Sequence, residues 1–437
     1  MKVRWLRVSK VKIPKTLLMG AATAATQIEG GDYNNNWYQW SLEGKIADGG
    51  SSITACDHWN RVAEDVCLMK ELSIETYRMS IEWSRIYPKK GQVSEEGINH
   101  YIDEIDLLLK HNIVPLITLH HFSSPIWIQD IGGWKNKETI GHFLNFVETV
   151  VTFLGDRVCE YGVINEPNVF ANDTYMDGKY PGGENGNVFA FFKASKHLIM
   201  AHVESYQLIH KLRSEKGFKG ETKVGVLNHM THFELTTKNK LFNLTKKFID
   251  HSFHEFYFKG MVEGILTFPY VKRRVAKKGI YADFIGVNYY TRNMISPSFD
   301  ITTLFGEVHN TKGLTNENKT DLDWEIYPKG LSKVITRIYN QYHLPIYITE
   351  NGIADAKDTL RKDYINKHLK EVVQLIDNGV DIQRYYYWSL LDNLEWNDGY
   401  GPRFGLIEVN YDTQVRTIRE SGYRYKKIIV NREIDLD

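Results

Sequence analysis

Short apolar runs rich in β-branched and aromatic residues recur along the chain, and most are followed by a stretch with helical spacing. The runs predict eight strands, at Leu17–Ala24, Thr76–Ile81, Val114–His121, Tyr161–Pro167, Lys223–His229, Asp283–Tyr290, Pro345–Gly352 and Arg384–Asn393. Apolar residues at every third or fourth position predict helices at Glu64–Leu72, Tyr101–His111, Phe143–Leu154, Phe189–Leu212, Leu331–Tyr342 and Tyr364–Asn378. Between Thr236 and Lys278 the pattern does not separate helices from loops.

This alternation of strands and helices predicts an α/β protein with a parallel sheet. Eight strand–helix units close into a (β/α)8 TIM barrel, and a chain of 437 residues is long enough to form one. No internal repeat or low-complexity linker divides the sequence, so we predict a single domain over residues 1–437. In such a barrel the active site lies at the C-terminal ends of the strands.

The charge balance argues against a polyanionic partner. The chain has 54 Lys and Arg against 54 Asp and Glu, so its net charge is close to zero. We interpret the basic clusters Lys238–Lys247 and Lys272–Lys278 as solvated faces rather than nucleic-acid or membrane-surface sites. No apolar run is long enough to span a bilayer. The oligomeric state stays open, a homo-oligomer included.

Cysteine and histidine usage predicts neither disulfides nor a metal site. Cys56, Cys67 and Cys159 are too few and too scattered for a disulfide framework, which favours a reducing, cytoplasmic location. His120 and His121 are adjacent on a predicted strand, so their side chains point to opposite faces and do not readily share one ion. We therefore expect no metal and no cofactor.

Two predicted strands end in a carboxylate. Glu350 follows a buried run bounded by Pro345 and Gly352, and Glu166 ends a second run of the same kind. One such residue alone fits a helix cap equally well. Because a carboxylate at a buried strand end is costly unless it is paired or used, two of them indicate acid/base or nucleophilic chemistry.

Further polar and aromatic residues collect at the same strand ends. They are Gln27, Glu29, Arg78, His121, Asn165, Asn228, Asn288, Tyr290, Asn351, Asp392, Asn393, Glu395 and Trp396. A buried polyhydroxylated ligand needs many donors and acceptors, and aromatic rings cover the apolar face of a sugar. The chain has no G-x-S-x-G motif for esterolysis and no G-x-G-x-x-G motif after a strand for a dinucleotide. This pattern therefore favours a carbohydrate substrate.

The sequence resembles glycoside hydrolase family 1, the retaining β-glycosidases, over nearly its whole length. The resemblance rests on specific motifs: Ala25-Thr26-Gln27-Ile28-Glu29-Gly30, Cys56-Asp57-His58-Trp59, Tyr77-Arg78, Trp83-Ser84-Arg85, Asn165-Glu166-Pro167, Asn288-Tyr289-Tyr290, Ile348-Thr349-Glu350-Asn351-Gly352, Asn393-Leu394-Glu395-Trp396 and Arg403-Phe404-Gly405-Leu406. It implies a TIM barrel that needs no cofactor.

The resemblance also implies a role for each matching residue. The catalytic set is Glu350 as nucleophile, Glu166 as acid/base, and Arg78 and Tyr290 in contact with the nucleophile. The substrate-binding set is Gln27, His121, Asn165, Asn288, Trp324, Trp388, Glu395, Trp396 and Phe404, in which Asn165 holds the 2-hydroxyl, Trp388 stacks beneath the sugar and Trp324 flanks the aglycone. Core packing remains an alternative for Trp324 and Trp388, and His120 remains an alternative to His121.

Physical chemistry supports these residue types. A nucleophilic carboxylate must stay ionised, which a cation such as Arg78 and a donor such as Tyr290 favour. Glu166 must start protonated to assist the leaving oxygen and then act as a base towards water.

Several positions depart from the family pattern. Tyr161 and Val163 precede the acid/base motif in place of Trp and Thr, Phe122-Ser123 replaces Trp-Asp, and Leu394 replaces an aromatic residue. The stretch from Phe248 to Asp283 is short, which predicts a more open aglycone side. None of these changes removes a catalytic group.

The sequence therefore predicts a retaining exo-β-glycosidase that hydrolyses β-glucosides, with β-galactosides or β-fucosides as additional substrates. One alternative is a 6-phospho-β-glycosidase, although Glu395 would repel a phosphate. The other is a sugar-binding protein that has lost catalysis.

Overall fold

Eight parallel strands form a closed barrel in the computed structural model, which describes residues 10–239, 242–298, 306–310 and 319–435. The strands are β1 (Leu18–Ala22), β2 (Thr76–Ser80), β3 (Val114–His120), β4 (Glu160–Asn165), β5 (Lys223–His229), β6 (Phe284–Asn288), β7 (Ile346–Asn351) and β8 (Ile382–Trp388). They are hydrogen-bonded in the order β6-β7-β8-β1-β2-β3-β4-β5, and β5 pairs with β6 to close the ring. The predicted TIM barrel and its eight strands are confirmed.

One barrel helix follows each strand in sequence. These helices are α1 (His58–Glu71), α2 (Glu95–Lys110), α3 (Glu138–Leu154), α4 (Val188–Glu215), α5 (Phe256–Glu263), α6 (Pro328–Tyr342), α7 (Arg361–Asp377) and α8 (Glu420–Asn431). The six predicted helices are all present. Their first turns begin earlier than predicted. In two of them a polar side chain caps the start, as Ser94 accepts from the N–H of Gly97 in α2 and Asn187 from the N–H of Ala190 in α4.

Shorter helices, turns and small sheets lie around the barrel. The short helices are Ala25–Ile28, Asn36–Leu42, Trp83–Ile86, Ile126–Asp130, Pro167–Tyr175 and Asn243–Asp250, with single turns at Gly133–Lys135, His251–Glu255 and Trp396–Asp398. Outside the barrel, Lys10–Lys12 pairs with Glu433–Asp435, Ile265–Leu266 with Arg273–Arg274, and Ile407–Val409 with Arg416–Ile418; His232–Leu235, Arg292–Pro297 and Gly306–His309 form a three-stranded sheet.

The structure defines the stretch that the sequence pattern left ambiguous. The ambiguous stretch from Thr236 to Lys278 contains helix Asn243–Asp250, a π-helical turn, α5 and a two-stranded hairpin. Lys240 of the first basic cluster and both ends of the predicted domain lie outside the described residues. No helix within the described ranges is long and apolar enough to cross a membrane.

The Cys56–Trp59 motif contributes a buried histidine to a charge cluster at the start of α1. His58 lies between two buried carboxylates, with Nδ1 2.7 Å from Asp65 and Nε2 3.1 Å from Glu104. Arg416 donates to both oxygens of Asp65. Burial lowers the pKa of His58, but Glu104 and Asp65 outweigh it and raise the pKa to about 10. His58 is therefore a buried imidazolium with two anionic partners.

Candidate active site

A cavity of about 410 Å³ lies at the C-terminal ends of the barrel strands. Most of the predicted site residues line it: His121, Asn165, Glu166, Tyr290, Trp324, Glu350, Trp388, Glu395, Trp396 and Phe404. A second cavity of equal volume lies where the terminal strands pair, near Lys10 and Glu433, and neither predicted catalytic carboxylate lines it. The residues suited to catalysis are therefore in the first cavity.

Glu350, in β7, is held by donors from two other strand ends. Nη1 of Arg78, in β2, donates a hydrogen bond to Oε1 of Glu350, at a distance of 2.5 Å. The hydroxyl of Tyr290, just after β6, donates a hydrogen bond to Oε2 of Glu350, also at 2.5 Å. The Arg78 side chain is fully buried and that of Glu350 is 5% exposed, so the carboxylate is fixed by contacts made away from bulk water.

The protonation of Glu350 reflects opposing influences. Burial raises the pKa of Glu350; Arg78 lowers it, Glu166 raises it further, and the Tyr290 hydroxyl lowers it. Arg78 and Tyr290 thus favour the ionised nucleophile as expected, but they do not cancel the effects of burial and of the second carboxylate. Like charges in one buried site oppose ionisation, which is why the neighbouring Glu166 raises the pKa of Glu350.

Glu166 immediately follows β4 and precedes helix Pro167–Tyr175. Its backbone is left-handed, with φ of +39°, a conformation that is uncommon for residues other than glycine. Oε1 accepts a hydrogen bond from Nδ2 of Asn288 at 2.9 Å and lies 3.2 Å from Nδ1 of His229. No described residue donates a hydrogen bond to Oε2. One oxygen of Glu166 is therefore held by the protein, and the other is available to a ligand.

Asn165 connects the two carboxylates. Its Oδ1 accepts from Nη2 of Arg78 at 2.7 Å and from Nδ2 of Asn288 at 3.0 Å, while its Nδ2 lies 2.9 Å from Nε2 of His121. Burial lowers the pKa of His121 well below its ordinary value, and Arg78 adds to this, so the ring is neutral. Because Nε2 accepts from Asn165, the proton lies on Nδ1, which has no partner among the described residues. Nδ1 is itself buried, whereas Nε2 lies 4.0 Å from Oε1 of Glu350, so the edge of the ring that carries Nε2 is the one directed towards the nucleophile.

The neighbouring His120 has a different environment. Its Nε2 accepts a hydrogen bond from Nε1 of Trp134 at 3.2 Å, and it is not among the residues that line the cavity. Of these two adjacent histidines, His121 is therefore the one that lines the cavity. Among the described residues no group of three or more His, Cys, Asp or Glu side chains is arranged to hold a metal ion.

One wall of the cavity combines indole rings with a carboxylate. Glu395 accepts a hydrogen bond from Nε1 of Trp388 at 3.3 Å, and the rings of Trp388 and Trp396 each lie within 6 Å of His121. Burial raises the pKa of Glu395 well above its ordinary value. On the opposite side Trp324 contacts Tyr290 edge to face, with ring centroids 5.6 Å apart. Trp324 and Trp388 thus face the cavity rather than only the core.

The close approach of β7 and β8 at this rim depends on Gly352. A Cβ atom at Gly352 would lie 1.7 Å from the carbonyl oxygen of Trp388. Any side chain at Gly352 would therefore displace Trp388 or the end of the strand that carries Glu350. The glycine of the Glu350-Asn351-Gly352 motif thus has a packing role that sets the site's dimensions.

Three predicted residues do not line the cavity. Arg78 is fully buried and contacts Glu350 and Asn165 from behind the cavity wall. Asn288 was predicted to bind substrate, but its amide hydrogen-bonds to Asn165 and Glu166, and its Oδ1 accepts from Thr349. Gln27 is fully buried and donates to Asn393 and to the carbonyl of Leu394, while its Oε1 has no partner among the described residues.

The cavity also contains residues that the sequence analysis did not assign to the site. They are Phe122, Val169, Asp173, Lys179, Tyr180, His229, Asn310, Leu322, Asn397 and Asp398. All except His229 lie between a barrel strand and the next of the helices α1–α8, where sequence spacing does not determine the direction of a side chain. His229 ends a predicted strand, and this position is a signal for a site residue. The sequence analysis assigned the neighbouring Asn228 to that strand end instead.

Comparisons with known proteins agree with this geometry. The model of glycosyl hydrolase family 1 matches residues 9–434. Beta-glucosidase A of Acetivibrio thermocellus is 34% identical over 97% of this chain and 99% of its own length. The structure of a beta-glycosidase from Pyrococcus horikoshii is 34% identical with a TM-score of 0.90, covering 98% of this chain and 96% of that one. A beta-glucosidase from Thermotoga maritima in complex with glucoimidazole is 29% identical with a TM-score of 0.87, covering 96% and 99%.

Proposed function

The chain belongs to glycosyl hydrolase family 1 and is a β-glycosidase, and we propose that it is an exo-β-glucosidase in which Glu350 is the nucleophile and Glu166 the acid/base. A retaining mechanism is general in this family. The observation that carries the proposal is that one cavity contains two buried carboxylates with different partners. Arg78 and Tyr290 hold Glu350, whereas Asn288 and His229 hold Glu166 through a single oxygen.

In the first step Glu350 attacks the anomeric carbon while Glu166 protonates the departing glycosidic oxygen. A bond forms between Glu350 and the carbon, and the bond from that carbon to the aglycone breaks. Arg78 and Tyr290 orient the attacking carboxylate. Asn165 is suited to bind the 2-hydroxyl as positive charge develops on the sugar, because such a contact strengthens in the transition state.

In the second step water replaces Glu350. Glu166, now a carboxylate, accepts a proton from water as the water oxygen bonds to the anomeric carbon and the ester to Glu350 breaks. Both steps invert configuration, so the product keeps the β configuration of the substrate. No cofactor takes part in this scheme.

The lining of the cavity supports an unphosphorylated glycone. Glu395 is suited to hydrogen-bond with sugar hydroxyl groups, and the indoles of Trp388 and Trp396 are suited to contact the apolar face of the sugar. Arg403, the basic residue next to Phe404 in the sequence, is not among the residues that line the cavity; it pairs with Asp392 and donates to the carbonyl of Val409. We therefore propose β-glucosides as preferred substrates, with β-galactosides or β-fucosides also accepted.

The same reasoning disfavours a sugar-binding protein without catalysis, because both carboxylates and their partners are present. We further propose that residues 1–437 act as one catalytic domain. The support is that the described elements from Leu18 to Asn431 form one closed barrel with helices and small sheets around it. A cytoplasmic location stays an inference from the sparse cysteines.

Product stereochemistry and substrate preference test the proposal together. During early hydrolysis of 4-nitrophenyl β-glucoside, NMR should detect β-glucose first, as expected for carboxyl groups roughly 5–5.5 Å apart. The wild type should prefer the glucoside to its 6-phosphorylated form, and Glu350→Ala should be inactive on both. First appearance of α-glucose, or a preference for the phosphorylated sugar, would overturn the respective part of the proposal.

A further inference from the structure

His229 is the titratable residue beside Glu166 that no sequence motif assigned to the reaction. It ends β5, and its Nδ1 lies 3.2 Å from Oε1 of Glu166. Its ring is nearly parallel to that of Tyr290, with centroids 6.1 Å apart, and meets Phe253 edge to face at 5.9 Å. The side chain is only 18% exposed. Packing on two sides thus fixes the imidazole next to the carboxylate.

The contacts of Glu166 indicate which oxygen carries the transferable proton. Oε1 already accepts from the Asn288 amide. If Nδ1 of His229 also donates to Oε1, that oxygen is occupied as an acceptor and the acidic proton belongs on Oε2. Oε2 receives no hydrogen bond from the described residues, and Glu166 lines the cavity. The proton is thereby placed where a glycosidic oxygen can take it.

We propose that His229 is a positioning residue for Glu166: its Nδ1–H holds Oε1 so that Oε2 carries the proton, and its positive charge, when present, favours the carboxylate that must act as a base. The proposal rests on the acid/base role proposed for Glu166. In the first step the proton moves from Oε2 to the leaving oxygen. In the second step Oε2 accepts a proton from water, and His229 itself keeps its own proton throughout.

The charges around His229 support a partly protonated ring. Burial lowers the pKa of His229, but Glu166 outweighs this, with Glu350 and Asp173 adding to the effect, so the pKa is raised above its ordinary value. The other titratable groups that face it are the Tyr290 hydroxyl and His254 of the π-helical turn. These groups come from the ends of β4, β6 and β7 and from the helices after β4 and β5.

Replacement by asparagine separates charge from hydrogen bonding. The Asn amide stands near the position of Nδ1, so His229→Asn keeps a neutral donor to Oε1 but removes the titratable ring. Without a neighbouring cation the protonated carboxyl is favoured, so the alkaline limb of kcat/KM should move to higher pH by about one unit. For a dinitrophenyl glucoside, whose second step limits kcat, the acidic limb should also move up, because the carboxylate base is then disfavoured.

Replacement by phenylalanine removes the donor but keeps a ring against Tyr290 and Phe253. In His229→Phe the proton is no longer restricted to Oε2. We expect an alkyl β-glucoside to lose about tenfold more in kcat/KM than a dinitrophenyl β-glucoside, because only the alkoxide needs the acid. If His229 had only a structural role, kcat/KM would fall equally for both substrates and the limbs of the pH–rate profile would stay in place.

His232→Asn is the matched control, since His232 lies three residues further on and contacts Glu234 and Lys333 instead of Glu166. The wild-type pH limbs should be unchanged in it. If His229→Asn also leaves both limbs in place, the inference is wrong even though Glu166 keeps its role. If Glu166→Ala hydrolyses alkyl glucosides normally, the proposed function fails first, and the two failures are thus distinguishable.

Discussion

The guanidinium of Arg78 and the carboxylate of Glu350 form a buried ion pair across the barrel, with Nη1 2.5 Å from Oε1 and neither side chain more than 5% exposed. Nη2 of Arg78 also donates to Asn165. One planar cation therefore orients two groups of the candidate site at once. A lysine cannot reproduce this fork, because its ammonium is a single point charge.

Arg78→Lys should therefore lower kcat/KM for 4-nitrophenyl β-glucoside about tenfold to hundredfold, the equivalent of losing one charged hydrogen bond. Arg78 lowers the pKa of Glu350 against burial, so a weaker partner leaves that pKa higher. The acidic limb of the pH–rate profile should accordingly move to higher pH. Arg85→Lys is the control, since Arg85 pairs with Glu29. If the acidic limb stays in place in Arg78→Lys, a group other than Glu350 sets that limb.

The two carboxylates should differ in their response to the leaving group. Glu350→Ala should nearly abolish turnover of both an alkyl and a dinitrophenyl β-glucoside, because both need the nucleophile. Glu166→Ala should lose far more on the alkyl substrate in the first step, because dinitrophenolate departs without protonation. Its second step should slow on both, so glycosyl-enzyme should accumulate as a burst in pre-steady-state measurements. Equal losses in the first step would mean that another group is the acid.

Glu395 tests the glycone pocket. Glu395→Ser should reduce kcat/KM on the plain glucoside by roughly tenfold to hundredfold, because a carboxyl hydrogen-bond partner is lost and the buried sugar hydroxyls that it bound are left unpaired. The loss should be smaller for a β-fucoside, which lacks the 6-hydroxyl. Asp398→Ser, at the same cavity but more exposed, is the control and should change little. A similar loss on both sugars would show that Glu395 does not contact the 6-hydroxyl.

His58 should make stability depend on pH. Its folded-state pKa of about 10 exceeds the ordinary value near 6.5, so its stabilisation is complete below pH 6.5 and is lost as pH rises through 10. His58→Gln leaves Asp65 and Glu104 without this cation and should cost about 3–5 kcal/mol at pH 6. The difference in Tm from wild type should shrink towards pH 10, whereas the control His142→Gln should show no such trend. A difference independent of pH would mean that His58 is not charged in the folded protein.

Local sequence was enough to locate the strands and the two carboxylates. Alternating apolar and helical segments set eight strand–helix units, and parallel strands that are right-handedly connected by helices put all their C-terminal ends at one rim. Glu166 and Glu350 could therefore be assigned to that rim from their places in the chain. Family motifs then added partners such as Arg78 and Tyr290.

What each polar residue touches was decided by tertiary structure. Asn288 was expected to bind substrate, but it holds Glu166 and Asn165, and His229 was not expected at all. Such contacts join strands distant in sequence and depend on the barrel's closure and on which side chains fill the space between strand ends. Sequence determined which groups stand at the rim because that follows from local periodicity. Only packing decided which of these groups face the cavity and which face each other, because burial favours the arrangement in which most polar atoms there have a partner.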